Sequence, residues 1–146
     1  MLKYLKDYRW ADMQEIARNN RAPQKQSDAG MAGKLCVITG CTSGVGWEGA
    51  RALAAHGAAI VMINRDMKKS ERACEALRAE FGAPCEYLLA DFADHSQVRE
   101  VADALVQRHA RIDLLVNNVG MHSTTLTRTA DGLETVFCVN HLASFA

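Results

Sequence analysis

Thr39-Gly40-Cys41-Thr42-Ser43-Gly44-Val45-Gly46 is the stretch that decides how this chain folds. The apolar run Leu35-Cys36-Val37-Ile38 stands directly before it, and a helical pattern follows directly after. Strand, glycine loop, helix is the order that a phosphate-binding βα turn requires. Gly40 permits the tight turn, Gly44 lets the backbone approach a pyrophosphate, and Gly46 lets helix and strand pack closely. The first N–H groups of the helix lack intrahelical partners, and the helix dipole favours an anion beside them. A plain tight turn is the competing reading of three glycines. The flanking strand and helix favour dinucleotide binding.

Outward from this loop the pattern alternates strand and helix. Leu35–Thr39 is the first strand and Val45–His56 the first helix, closed by Gly57. Ala59-Ile60-Val61-Met62-Ile63 is a continuous apolar run, as in a parallel strand buried on both faces. A helix over Ser70–Phe81 stops before Gly82 and Pro84, and Cys85–Ala90 is the third strand. Asp94-x-x-Gln97 resembles a capping box, and the helix after it puts Val98, Val101, Ala102, Leu105 and Val106 on one face. Ile112–Asn117 is the fourth strand, and a last helix starts near Leu133. Right-handed crossovers then give an α/β, Rossmann-type parallel sheet in order 3-2-1-4.

In such sheets ligands bind beyond the C-terminal ends of the strands. The glycine loop ends strand one, Asn64-Arg65 strand two, Asp91-Phe92 strand three, and Asn117-Asn118-Val119-Gly120 strand four. An acidic side chain closing strand two would hold the adenosine ribose and select NAD; this chain has Asn64 and then Arg65. A guanidinium suits the 2′-phosphate of NADP, and Lys68 and Lys69 add positive charge. A solvated basic turn is the alternative.

The glycine spacing Thr-Gly-x-x-x-Gly-x-Gly, with Asp91-Phe92, Asn117-Asn118-Val119-Gly120, Asp131-Gly132-Leu133-Glu134 and Val139-Asn140-His141-Leu142, resembles the short-chain dehydrogenase/reductase family. The last stretch looks most like the retinol-dehydrogenase-like branch, and the likeness runs from about residue 32 to Ala146. Val119 stands where the family usually has alanine. The resemblance implies a cofactor site built from Gly40, Thr42, Ser43, Gly44, Val45, Gly46, Asn64, Arg65, Asp91, Phe92, Asn118, Val119 and Gly120. It implies that Asp91 and the Phe92 backbone meet adenine, and that the Asn118 turn meets the ribose. Family members that prefer NADP often carry a basic residue where this chain has Ser43, so NADP is the expectation and NAD the alternative. Asn140 aligns with the asparagine of the family's catalytic tetrad. The rest of that tetrad, a Ser and a Tyr-x-x-x-Lys pair, follows the Asn140 motif in the family. Here no tyrosine follows Tyr87 and no lysine follows Lys69.

The expectation is therefore the N-terminal, cofactor-binding part of an oxidoreductase that moves hydride between nicotinamide and an alcohol or carbonyl. The complete protein would hold the small-molecule substrate, and these residues alone would be inactive. A non-catalytic dinucleotide-binding module or sensor is the rival reading. Residues 1–30 are expected as a helix and linker, and 31–146 as part of the Rossmann domain. Residues 1–19 place Leu2, Leu5, Met13 and Ile16 on one face, interrupted by Arg9, and Asn19–Gly30 reads as the linker.

Composition narrows the field. Seventeen basic residues balance seventeen acidic ones, so no electrostatic footprint for nucleic acid or an anionic membrane appears. No apolar run approaches the roughly 20 residues that span a bilayer. No signal-peptide core is visible, which makes the cytoplasm the default compartment. The five cysteines form no C-x-x-C pair and read as free thiols, and the histidines show no metal-ligand spacing. Cys41 faces a helix N-terminus, where a thiol pKa can fall; filling space in the loop is its plainer role. An apolar fourth strand at a sheet edge would favour self-association, leaving a homo-oligomer open.

Overall fold

The computed structural model describes residues 10–21 and 29–146. Helix α1 covers Trp10–Arg21, with Arg18 and Arg21 in the last turn, where cations suit the negative end of the dipole. The helix therefore takes in Asn19 and Asn20, which the sequence assigns to the linker. Leu2, Leu5 and linker residues 22–28 lie outside the described residues.

The main body runs β1 (Leu35–Thr39), α2 (Gly44–Ala55), β2 (Ala59–Asn64), α3 (Met67–Phe81), β3 (Cys85–Leu89), α4 (His95–Arg108), β4 (Leu114–Val116) and α5 (Thr135–Asn140). The four strands form one parallel sheet in order β3-β2-β1-β4, as the apolar runs and crossovers predict. Val37 pairs with Val61 and Ile38 with Met62 across the centre, while Ile38 meets Val116 on the other side.

Alternation along β1 and β2 sends side chains to two separate cores. Cys36, Ile38, Ile60 and Met62 pack with Ala50 and Ala54 of α2 and Cys74 and Leu77 of α3. On the opposite face Val37, Val61 and Ile63 pack with Val101 and Leu105 of α4. Each fully buried Ile, Leu or Met side chain contributes about 1.5–3 kcal/mol. With both faces covered, these strands can be apolar throughout.

Two boundaries and one cap differ from the sequence reading. Helix α3 starts at Met67, because the Asp66 side chain accepts the Lys69 N–H and caps it. The fourth strand shortens to Leu114–Val116. Asp113 is not a ladder residue; its N–H donates to Leu35 O and its carboxylate accepts the Leu35 N–H. At α4 the capping box takes a modified form. Asp94 accepts from Ser96 N and Gln97 N, while Gln97 reaches back to the Asp91 N–H rather than to that of Asp94.

Candidate functional site

The C-terminal ends of the strands open into a cleft of about 670 Å³. Gly40, Thr42 and Ser43 form its wall after β1, Asn64 and Arg65 after β2, Asp91 and Phe92 beyond β3, and Asn118, Val119 and Gly120 after β4. Residues drawn from four separate strand ends thus meet in one place. A shallower groove of about 460 Å³ shares Arg65, Asp66, Ala90 and Asp91 with the cleft and extends it past the ends of β2 and β3.

The glycine loop is held from behind. Asn118 donates through Nδ2 to Thr39 O at 3.1 Å and Gly40 O at 2.9 Å. Thr39 Oγ1 accepts the Asn118 and Val119 N–H groups, each at 3.0 Å. Thr39 itself is buried at the end of β1, so one hydroxyl ties the first strand to the turn after the fourth. Sequence reasoning placed it in the glycine motif but gave it no role of its own. Its local signals are its place at the head of the glycine motif and its being a polar residue that closes an apolar strand.

The three motif glycines have different physical reasons. Gly40 takes φ +66°, and a Cβ there would press on Val119 Cγ2 at 2.7 Å. Gly46 is buried in the first turn of α2, where a Cβ would collide with the Asn118 carboxamide and with Gly40 O at 2.6 Å. Gly44 takes φ +60° yet has nothing within 4 Å of its missing Cβ. Gly40 and Gly46 make room for protein, and Gly44 faces open space. Val45, beside it, is 84% exposed.

The N-terminus of α2 has no protein cap. Ser43 occupies the cap position, its side chain makes no capping hydrogen bond, and no acidic residue lies in the first turn. By contrast α3, α4 and α5 are capped by the carboxylates of Asp66, Asp94 and Glu134.

Asn64 is buried on the floor of the cleft, and its Oδ1 accepts the Cys41 N–H at 2.9 Å. Its carboxamide is thus directed to the glycine loop, and its Nδ2 is buried without a hydrogen-bond partner. Arg65 is exposed on the cleft wall, with Lys69 near it. Asp91 is exposed, and its carboxylate accepts the Ala93 N–H at 2.9 Å. Asn140 lies outside the cleft lining. Its carboxamide accepts the Met121 N–H at 2.7 Å and donates to Met121 O at 2.8 Å, clamping the chain just after Gly120.

Cys41 turns its thiol into the core. It is fully buried, its thiol approaches Ile38 O at 3.4 Å, and burial pushes its pKa up to about 12. A protonated, buried sulfur is a space-filling group. No cluster of His, Cys, Asp and Glu suited to a metal is present among the described residues. No helix among them is long and apolar enough to cross a membrane.

Residues 34–146 match the family model described as short chain dehydrogenase. The chain belongs to the short-chain dehydrogenase family. Within this family it is retinol-dehydrogenase-like, 34% identical over 121 residues to retinol dehydrogenase 12 of Bos taurus, an alignment covering 82% of this chain and 38% of that protein. The crystal structure of L-sorbose reductase from Gluconobacter frateurii, complexed with NADPH and L-sorbose, matches with a TM-score of 0.71 and 28% identity, over 82% of this chain and 46% of that one. A short-chain dehydrogenase from Sphingobium yanoikuyae in complex with NADPH matches with a TM-score of 0.66 and 32% identity, over 75% and 43%. The chain thus spans less than half the length of these short-chain dehydrogenases.

Proposed function

We propose that residues 31–146 form the dinucleotide-binding part of an NADP-dependent oxidoreductase acting on a carbonyl or alcohol. The observation that carries this reading is the uncapped N-terminus of α2, opening beside Gly44 into space with no protein atom to fill it. Free N–H groups at a helix start, with the dipole behind them, suit a pyrophosphate. The NADPH bound in L-sorbose reductase and in the Sphingobium enzyme supports the same choice of ligand.

Bound there, a nicotinamide dinucleotide would supply the hydride carrier. The chain's own residues hold it. The first turn of α2 would face the phosphates, and Arg65 would pair with a 2′-phosphate as a charged, planar donor. Asp91 and the Phe92 backbone would meet the adenine, and Asn118 to Gly120 would meet the ribose. Asn140 is a positioning residue that acts through the Met121 backbone. These 146 residues contain no Tyr-x-x-x-Lys, so binding without turnover is the behaviour proposed for them. Self-association belongs to the same proposal: β4 is a sheet edge, and Leu115 on it is 53% exposed. Size-exclusion chromatography with light scattering tests this, and a monomeric peak refutes it.

The central test is a calorimetric titration of NADPH and NADH into the wild type and Arg65→Ala. Charged hydrogen bonds contribute about 1.5–3 kcal/mol, so the substitution should weaken NADPH binding about tenfold or more and leave NADH binding nearly unchanged. Equal affinities for the two cofactors in the wild type would refute the NADP assignment. Absence of binding by both would refute the site.

A further inference from the structure

Away from the cleft, two buried thiols face each other across the α3–β3 junction. Cys74 Sγ lies 2.8 Å from Cys85 Sγ, and the two side chains are 1% and 6% exposed. Both are free cysteines. A disulfide bond is about 2.05 Å long, so closing this pair needs less than about 1 Å of sulfur movement. Cys41, in the same core, turns its thiol toward Ile38 O and Asn64 instead.

We propose that Cys74 and Cys85 form a redox-active dithiol that a small peroxide converts to a disulfide, a site separate from the dinucleotide cleft. Three features of the place support it. Cys85 is the first residue of β3, an edge strand of the sheet, and opening of that strand end would be the route by which a small oxidant enters. The two sulfurs share a hydrogen bond, and the Arg78 guanidinium donates to Cys85 O close by. Donation from the Cys85 thiol, helped by the Arg78 charge, lowers the pKa of Cys74, whereas sharing that proton and burial raise that of Cys85. Cys74 is therefore the nucleophile of the pair.

The chemistry balances with hydrogen peroxide as the oxidant. Cys74 first gives up its proton. The resulting thiolate attacks one peroxide oxygen, the O–O bond breaks, and the departing hydroxide takes up the proton that Cys74 released and leaves as water. Cys74 is then a sulfenic acid. The Cys85 sulfur attacks the Cys74 sulfur, the S–S bond forms and the S–O bond breaks, and the Cys85 proton joins the departing hydroxide as a second water. Two thiols are oxidised and one peroxide is reduced. The cross-link would fasten α3 to β3 and so fix the helix that carries Asp66 and Lys69 at the cleft wall.

The test is to treat the folded chain with hydrogen peroxide under native conditions. Remaining thiols are then alkylated in denaturant, and the digest is mapped by mass spectrometry. The expected result is a Cys74–Cys85 cross-linked peptide lighter by two hydrogens, with Cys36, Cys41 and Cys138 alkylated. Dithiothreitol should return all five cysteines to the alkylated set. In Cys85→Ser, Cys74 should stop at the sulfenic acid, trapped by a dimedone probe. Alkylation of all five cysteines after oxidation would overturn the proposal. So would cross-links spread over other pairs, or a Cys74 that reaches sulfinic acid in the wild type without pairing. Because the wild-type map decides the matter, a Cys85→Ser chain that failed to fold would not rescue the idea.

Discussion

Helices α2 and α3 follow adjacent strands and start at the same end of the sheet, yet their first turns are built in opposite ways. Helix α3 begins behind Asp66, whose carboxylate accepts the Lys69 N–H at 3.0 Å. Helix α2 begins behind Ser43, whose hydroxyl caps nothing, and its first turn opens beside Gly44 into empty space. A helix start left without partners costs stability unless water or a ligand satisfies it. The difference teaches where the fold keeps donors in reserve. It completes α3 with its own side chain and leaves the first turn of α2 open.

The largest effect should come from Gly46→Ala. Its new Cβ meets the Gly40 carbonyl oxygen at 2.6 Å as well as Asn118, and backbone cannot swing away. Overpacking of this kind costs about 1–3 kcal/mol, and the displaced loop should also lose the dinucleotide. A thermal melt together with calorimetry would show both losses; a normal melt with normal binding would mean that α2 does not rest on the loop as described. Gly44→Ala sharpens the contrast. The strain of a positive φ costs about 1–2 kcal/mol, but no atom is struck, so the chain should fold and bind NADPH about tenfold or more weakly. Unaltered affinity would mean that the open space beside Gly44 holds no phosphate.

A smaller pair of substitutions addresses the caps directly. Asp66→Ala should cost about 1 kcal/mol of stability, as loss of an N-cap does. Ser43→Ala should cost next to nothing in the absence of ligand, because the hydroxyl makes no cap bond. Equal losses in chemical denaturation would erase the difference between the two helices.

Acid should produce the mildest effect. The Ser96 hydroxyl and then the Gln97 carboxamide hold the Asp94 carboxyl below its ordinary range, and the Leu35 N–H does the same for Asp113. Groups whose folded pKa lies below the unfolded value of about 3.9 stabilise the fold above that pH and stop doing so as pH falls through the folded value. Melting temperature should therefore decline below about pH 4, and Asp94→Asn should make that decline shallower. A variant with an unchanged acid limb would show that the α4 cap contributes no pH-dependent stability.

What could be read from the sequence was what repeats locally. The apolar runs of β1 and β2 and the glycine spacing carry their own signatures, and their strand order followed from the crossovers. The start of α3 was missed because Asp66 sits between Arg65 and Lys68-Lys69, so the stretch reads as a basic turn rather than as a cap. The role of Thr39 was missed for a different reason. Its partners Asn118 and Val119 lie 79 and 80 residues away, and no local pattern announces a hydroxyl that joins two strand ends. The buried placement of Asn64 was equally hidden, because an Asn closing a strand looks the same whether it faces a ligand or the Cys41 amide.

The Asn118 carboxamide bears on time as well as on structure. It grips Thr39 O and Gly40 O at once, while Asn64 holds the next amide, so three successive residues of the loop are fixed before any ligand arrives. Such a loop has little ordering entropy left to lose on association. Rapid mixing of the chain with NADPH should then give one phase whose observed rate rises linearly with concentration, without the plateau that a preceding rearrangement imposes. Asn118→Ala should introduce that plateau, converting simple capture into a wait for the loop to assemble.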